Sequence, residues 1–324
     1  MPEEKEGYKG RRVARKEMEE ITKKIESQLS TFIKEGKYKY VLIRMGNLGR
    51  YSLNNQIYIL MQNPSATTVH GLRAWNNLHR TVKPGEKSIH IFAPVIQKEE
   101  KLDENGNPTG EKKDVLKGYR LGYVFDVSQT NGKDLDVFKF DEKKAVENKE
   151  SILRALWNVA NQNGFYVGYS TKEELGEGCY GLCDHKNNEI HILKGMSDLQ
   201  EISTTIHELG HALAHSAYRQ DFDGLTPTEK REIKEVEAES IACTVCSYLG
   251  LDTKNFNFSY ITGWADGDID KFRKNLSVIQ KHSMTIINGI EKEMALERLA
   301  KKQKETKVPV IPIVNKPQVE AEMG

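Results

Sequence analysis

Between Leu199 and Gln220 the chain reads LQEISTTIHELGHALAHSAYRQ, and its centre sets His207, Glu208 and His211 in the order H-E-x-x-H. On a helix, a four-residue step puts two imidazoles on one face, one turn apart, where they can share a tetrahedral metal ion. Glu208 then stands beside that ion, placed to act as the general base of a hydrolytic zinc site. The alternative is a helix with two packed or surface histidines and no metal.

The surrounding residues favour the metal. Leu199, Ile202, Ile206, Leu209 and Leu213 form an apolar stripe at helical spacing. The histidines fall nearly opposite, among Ser203, Thr204, Gly210 and Ala214, so a second element should pack closely there. Downstream, Thr226-Pro-Thr-Glu229 is a capping box with proline at the first helical position, and it predicts a helix running to Leu249 with Gly250 as its stop. Glu235 and Glu239 share one face of that helix. A third protein ligand from a second helix leaves a fourth position open for water, as in catalytic zinc sites. Glu235 is the expected ligand and Glu239 an outer partner orienting a histidine. Spacing alone leaves their order open, and it places Glu237 elsewhere.

The chain has 324 residues, long enough for two domains, and its 48 basic and 47 acidic side chains give a net charge of +1. Whole-chain charge therefore points to no partner. No segment approaches the roughly 18 apolar residues of a membrane span, and the N-terminus lacks a signal-peptide core, so a cytoplasmic protein is expected. The four cysteines, Cys179, Cys183, Cys243 and Cys246, are then expected as reduced thiols, with the Cys243/Cys246 pair buried on a helix.

Charge is unevenly distributed. Between Lys37 and Gln97 there are eight basic residues and one acid, Glu86. Ahead of this segment, Ile21, Ile25, Leu29 and Phe32 or Ile33 predict an amphipathic helix from about Arg15 to Gly36. Within the basic segment, Arg50, Tyr51, Asn54, Asn55 and Gln56 lie on a predicted helix with an amide-rich face. Trp75, Arg80 and the Lys83 to Lys87 turn follow, leading into the strand SIHIFAPV. Single-stranded nucleic acid is held by cations on phosphates, aromatic faces on unstacked bases and amides on base edges. These nine residues, Arg50, Tyr51, Asn54, Asn55, Gln56, Trp75, Arg80, Lys83 and Lys87, are the candidate DNA contacts, although amides and aromatics also serve ordinary cores and turns.

Residues 98–118 read as the exposed tip of a long hairpin, with YRLGYVFDVSQT as its return strand. The polar run 141–150 marks a boundary. After it come a helix, SILRALWNVANQNG, and the strands FYVGYS, CYGLCD and EIHIL, the last two forming a hairpin just before the His207 helix. Beyond Gly250 a helical pair is predicted, with Tyr260 and Trp264 as packing aromatics and Tyr260 as a candidate oxyanion donor. A charged helix ends near Lys302, and the proline-containing end reads as a flexible tail.

YSLNNQIYILMQNP, GLRAWNNLHRTVKPGEKSIHIFAP and GYVFDVSQT resemble the single-stranded-DNA-binding N-terminal domain of ArdC-type antirestriction proteins, also found in LtrC-like proteins of conjugative elements. HELGHALAHS, EVEAESIACTVCSYLGLD and SYITGW resemble the zinc metallopeptidase domain of the same family, itself similar to the ImmA/IrrE metallopeptidases. The resemblance runs from about Gly10 to Met294 and implies an α+β fold of two domains. The first, 1–140, is an α+β single-stranded-DNA-binding domain with an antiparallel sheet. A linker at 141–150 leads to a mostly helical zincin-like metallopeptidase domain with a small sheet, 151–303, and a flexible tail, 304–324. The resemblance also implies a plasmid or conjugative-element antirestriction protein, with zinc held gluzincin-fashion on His207, His211 and Glu235. The alternative it leaves is a DNA-binding antirestriction factor whose zinc is structural or non-proteolytic.

Overall fold

A computed structural model describes residues 10–104, 107–135, 141–216, 219–256, 258 and 269–305. The fold is α+β. Helix α1, Arg15–Lys34, buries Ile25, Leu29, Phe32 and Ile33 at helical spacing, and Gly36 follows at φ 68°, a left-handed conformation that glycine adopts without a Cβ clash. Helix α2, Tyr38–Asn47, buries Tyr38, Val41, Leu42 and Met45; helix α3, Leu53–Gln62, is capped by the Ser52 hydroxyl. The short strand β1, Val69–Gly71, leads into α4, Leu72–Asn77, and β2, Arg80–Val82. Strands β3, Ile89–Leu102, and β4, Pro108–Asp126, form the expected long hairpin, with irregularities between Pro94 and Ile96 and between Glu100 and Leu102. Strand β1 adds antiparallel to β4, and β2 pairs with β5, Thr130–Gly132.

Helices α5, Glu142–Glu147, and α6, Lys149–Gln162, open the second half. Its sheet combines β6, Tyr166–Ser170, with β7, Gly181–Asp184, and β8, Glu189–Leu193, and the short helix α7, Lys172–Leu175, lies between the first two. The strand order is β6-β8-β7, with β6 parallel and β7 antiparallel to β8, so β7 forms an edge. Helices α8, Asp198–His215, and α9, Pro227–Tyr248, carry the residues of interest. In place of two helices after residue 269, α10 runs unbroken from Ile269 to Glu305. Phe272, Leu276, Ile279, Ile286, Ile287, Ile290 and Met294 stay buried along it. Where α6 crosses α10, a Cβ on Gly289 would fall 2.4 Å from Val159 Cγ2. Tyr260, Trp264 and the end from residue 306 lie outside the described residues. Among those described, no helix is long and apolar enough to cross a membrane.

One buried cluster joins the two halves, from Val13, Ile25 and Leu42 through Ile152, Ile206 and Val245 to Ile290. Helix α2 lies directly on α9, where a Cβ on Gly46 would approach the Thr244 carbonyl oxygen to 3.1 Å. A second, smaller cluster of Leu48, Ile59, Leu60, Ala66, Val69, Ile89 and Val124 fills the space under the long sheet.

Candidate metal centre

Ser197 caps α8, and Ile202, Ile206 and Leu209 bury its apolar stripe. Thr226 and Glu229 form the expected capping box on α9, with Pro227 at its start. Close packing of the two helices centres on Gly210, where a Cβ would touch the Ala238 Cα and carbonyl oxygen at 3.4 Å. Around this crossing His207 and His211 on α8 meet Glu235 and Glu239 on α9.

The His207 and His211 Nε2 atoms are 3.2 Å apart. Glu235 Oε2 lies 3.8 Å from the first and 3.5 Å from the second. A tetrahedral ion with bonds of about 2.1 Å holds its ligand atoms about 3.4 Å from one another. His207, His211 and Glu235 thus fit one divalent cation, each contributing one ligand atom. Glu239 Oε2 sits 3.5 Å from the opposite ring nitrogen of His207, Nδ1, where it can orient the imidazole but faces away from the shared point.

Glu208 is buried. Burial pushes its carboxyl pKa up, and nearby Glu235 adds to the rise, whereas His207, His211 and the Cys183 backbone N–H favour the charged form. Strand β7 passes directly over it: a Cβ on Gly181 would fall 2.7 Å from Glu208 Cγ and 2.8 Å from Thr204 Cγ2. The groups open onto a cavity of about 1040 Å³ walled by Tyr180 and Leu182 on one side and by Lys230, Arg231 and Lys234 on the other.

Behind the histidines lies a layer that the sequence reading missed. His215 Nδ1 is 3.2 Å from His211 Nδ1, and His215 Nε2 is 3.1 Å from Glu237 Oε2. Arg219 grips both Glu237 oxygens, Nη2 reaching Oε1 at 3.0 Å, and also holds Asp221 at 2.6 Å. The His215 and Glu237 side chains are both fully buried. Burial and then the neighbouring positive groups lower the His215 pKa to about 2, so its ring is neutral. A third histidine, four residues after His211 on the same helix, was the available signal.

All four cysteines are free thiols, and Cys243 and Cys246 are buried. Burial, reinforced by Glu208 and Asp184, raises the Cys183 pKa to about 12, which makes it an inert thiol at neutral pH.

In the basic segment the residue-level expectation changes. Asn55 exchanges two hydrogen bonds with the Phe92 backbone, at 2.9 and 2.8 Å. Gln56 donates to the Leu48 and Tyr51 carbonyls. Trp75 is fully buried, and its indole N–H donates to the Phe125 carbonyl at 2.9 Å. These three side chains tie α3 and α4 to neighbouring backbone and offer no surface to a base. A buried polar group must find a partner, and amides that do so inside a fold look the same in sequence as amides facing a ligand. Asn54 accepts from Arg273 and the Tyr51 hydroxyl donates to the Val69 carbonyl. Arg80 donates to the hydroxyl and carbonyl of Thr130, and Lys83 to the Ser128 carbonyl. Arg50 and Lys87 are exposed, as is the neighbouring Arg73.

Comparison with known proteins bears on this same segment, since residues 11–125 match the family of the N-terminal domain of anti-restriction factor ArdC. Residues 11–125 are an ArdC-type N-terminal domain. The chain is also 26% identical, over 294 residues, to the uncharacterized protein pXO2-81 of Bacillus anthracis, covering 81% of this chain and 49% of the relative. It therefore spans about half the length of that curated relative. Two solved structures of the antirestriction ArdC protein from the R388 plasmid are similar to it. The metal-free form has 19% identity and a TM-score of 0.41, covering 74% of this chain and 85% of its own. The Mn(II)-bound form has 16% identity and a TM-score of 0.47, covering 83% and 97%.

Proposed function

We propose that this ArdC-type chain is an antirestriction protein of mobile DNA that pairs a single-stranded-DNA-binding N-terminal part, 1–140, with a metal-dependent peptidase in residues 151–303. The observation that carries the hydrolytic part is the convergence of His207 Nε2, His211 Nε2 and Glu235 Oε2, with their mutual distances of 3.2 to 3.8 Å, beside a buried carboxylate. A divalent cation held there, zinc by its nitrogen-rich donor set, supplies Lewis acidity and makes water a stronger nucleophile.

The protein's own groups divide the remaining work. Glu208 takes a proton from water at its carboxylate and passes it to the leaving nitrogen; burial favours the protonated state that this relay requires. Glu239 holds His207, and strand β7, paired to β8 on one side, borders the cavity where an extended chain would run past Glu208. Among the described residues three protein ligands open on a cavity, which suits a catalytic site better than a structural one, which would use four.

For the DNA part, the family match and the exposed cations Arg50, Arg73 and Lys87 support binding to phosphates. The test is metal analysis of the purified full chain, followed by cleavage of unfolded protein substrates with and without single-stranded DNA. Metal present with no cleavage in either arm would leave the DNA-binding factor with a non-proteolytic metal site.

A further inference from the structure

We infer that His215 and Glu237, pinned by Arg219, set the tautomer of His211 and thereby keep its Nε2 bare as a ligand atom. The inference rests on the metal reading above and adds two positioning residues to it. Arginine carries only donors, and Arg219 directs two of them at the two oxygens of Glu237. Glu237 is therefore an acceptor on both sides. The proton between Glu237 Oε2 and His215 Nε2, 3.1 Å apart, must belong to the histidine. A neutral imidazole carrying hydrogen on Nε2 has a lone pair on Nδ1.

That lone pair faces His211 Nδ1 at 3.2 Å. Two ring nitrogens make a hydrogen bond only if one of them bears the proton, and here it must be His211. With hydrogen on Nδ1, His211 has its lone pair on Nε2, the atom 3.5 Å from Glu235 Oε2 and 3.2 Å from His207 Nε2. Reversing any link reverses the result: a hydrogen on His215 Nδ1 would make that atom the donor to His211 Nδ1 and leave the His211 proton on the ligand nitrogen. His207 reaches the same state by a shorter route, with Nδ1 facing Glu239 Oε2 directly. The His211 route is sealed from solvent, since the His215 and Glu237 side chains have no exposed surface. It makes metal affinity depend on a partly exposed arginine that is not itself one of the ion's ligands.

The experiment reads the imidazole nitrogens of the metal-free full chain by long-range nitrogen–proton NMR, then measures zinc and manganese affinity by chelator competition. In the wild type, His211 should show the Nδ1–H tautomer. His215→Phe should remove the acceptor, shift His211 toward a mixed tautomer and weaken metal binding by about 10–100-fold. His215→Asn, whose carboxamide oxygen falls near the lost Nδ1, should restore both. An Nε2–H tautomer at His211 in the wild type overturns the inference, and so does a folded His215→Phe with unchanged tautomer and affinity. Should His215→Phe not fold, the wild-type spectrum decides. A wild type that binds neither ion rejects the metal reading instead, while the metal-free tautomer still reports on the relay.

Discussion

The Tyr38 hydroxyl lies 2.8 Å from Ser240 Oγ, a buried hydrogen bond between residues 202 positions apart. Ser240 follows Glu239 on α9, so the helix that presents Glu235 and Glu239 to the histidines rests its other side on α2 of the N-terminal half. Tyr38→Phe leaves the Ser240 hydroxyl without this partner and should cost about 1–3 kcal/mol in urea unfolding of the full chain. Because one buried cluster spans both halves, unfolding followed by fluorescence and by circular dichroism should give a single coincident transition. Two separated transitions would show that the halves fold independently.

Metal should bind at one ion per chain. The His207→Ala, His211→Ala double variant should retain none, since it deletes two of the three convergent ligand atoms. Free metal at 100 times its dissociation constant should stabilise the fold by about 2.7 kcal/mol, and a chelator should reverse this in a thermal melt. Full occupancy in the double variant would reject the site.

Glu208→Gln should keep the metal and lose hydrolysis, because the carboxamide cannot accept a proton. Gly181→Ala tests the same group from outside the metal shell. Its Cβ would fall 2.7 Å from Glu208 Cγ, so the base must shift while His207, His211 and Glu235 stay in place. Cleavage should drop by about 10²-fold, as for a base misplaced by about 1 Å, with metal content unchanged. Equal activity in Gly181→Ala would mean that Glu208 does not need its present position.

Much of the site could be read from sequence because it depends on spacing within single helices. The four-residue step of His207 and His211, and that of Glu235 and Glu239, fix which side chains share a face before any tertiary structure is known. The capping box at Thr226 and the long hairpin were legible for the same local reason. The link from His211 through His215 to Glu237 was not, because it depends on how α8 crosses α9, and that crossing is set by the contact of Gly210 with Ala238. Helix α2 was not anticipated, although Tyr38, Val41, Leu42 and Met45 keep helical spacing along its buried face. In α3 the amides of Asn55 and Gln56 suggested a ligand surface, and their actual partners are the carbonyls of Phe92, Leu48 and Tyr51.

The DNA expectation moves accordingly onto side chains that face solvent. The full chain should bind single strands with an affinity that falls steeply with salt, because each neutralised phosphate releases a counterion and adds about 0.7 to the log–log slope. Arg50→Ala and Lys87→Ala, both at exposed positions, should each reduce the slope by about that amount with no loss of stability. Trp75→Ala should behave differently. Its ring is fully buried and its N–H is bound to the Phe125 carbonyl, so truncation should destabilise the fold by about 3–5 kcal/mol. The fraction that remains folded should bind DNA with the wild-type slope, since no phosphate contact has been removed. Fluorescence titrations in a salt series, run beside circular dichroism of each variant, separate the two effects. A wild-type affinity independent of salt, or duplex bound as tightly as single strands, would remove the basis for assigning the N-terminal part to single-stranded DNA, and the metal centre would then have to account for the protein's activity alone.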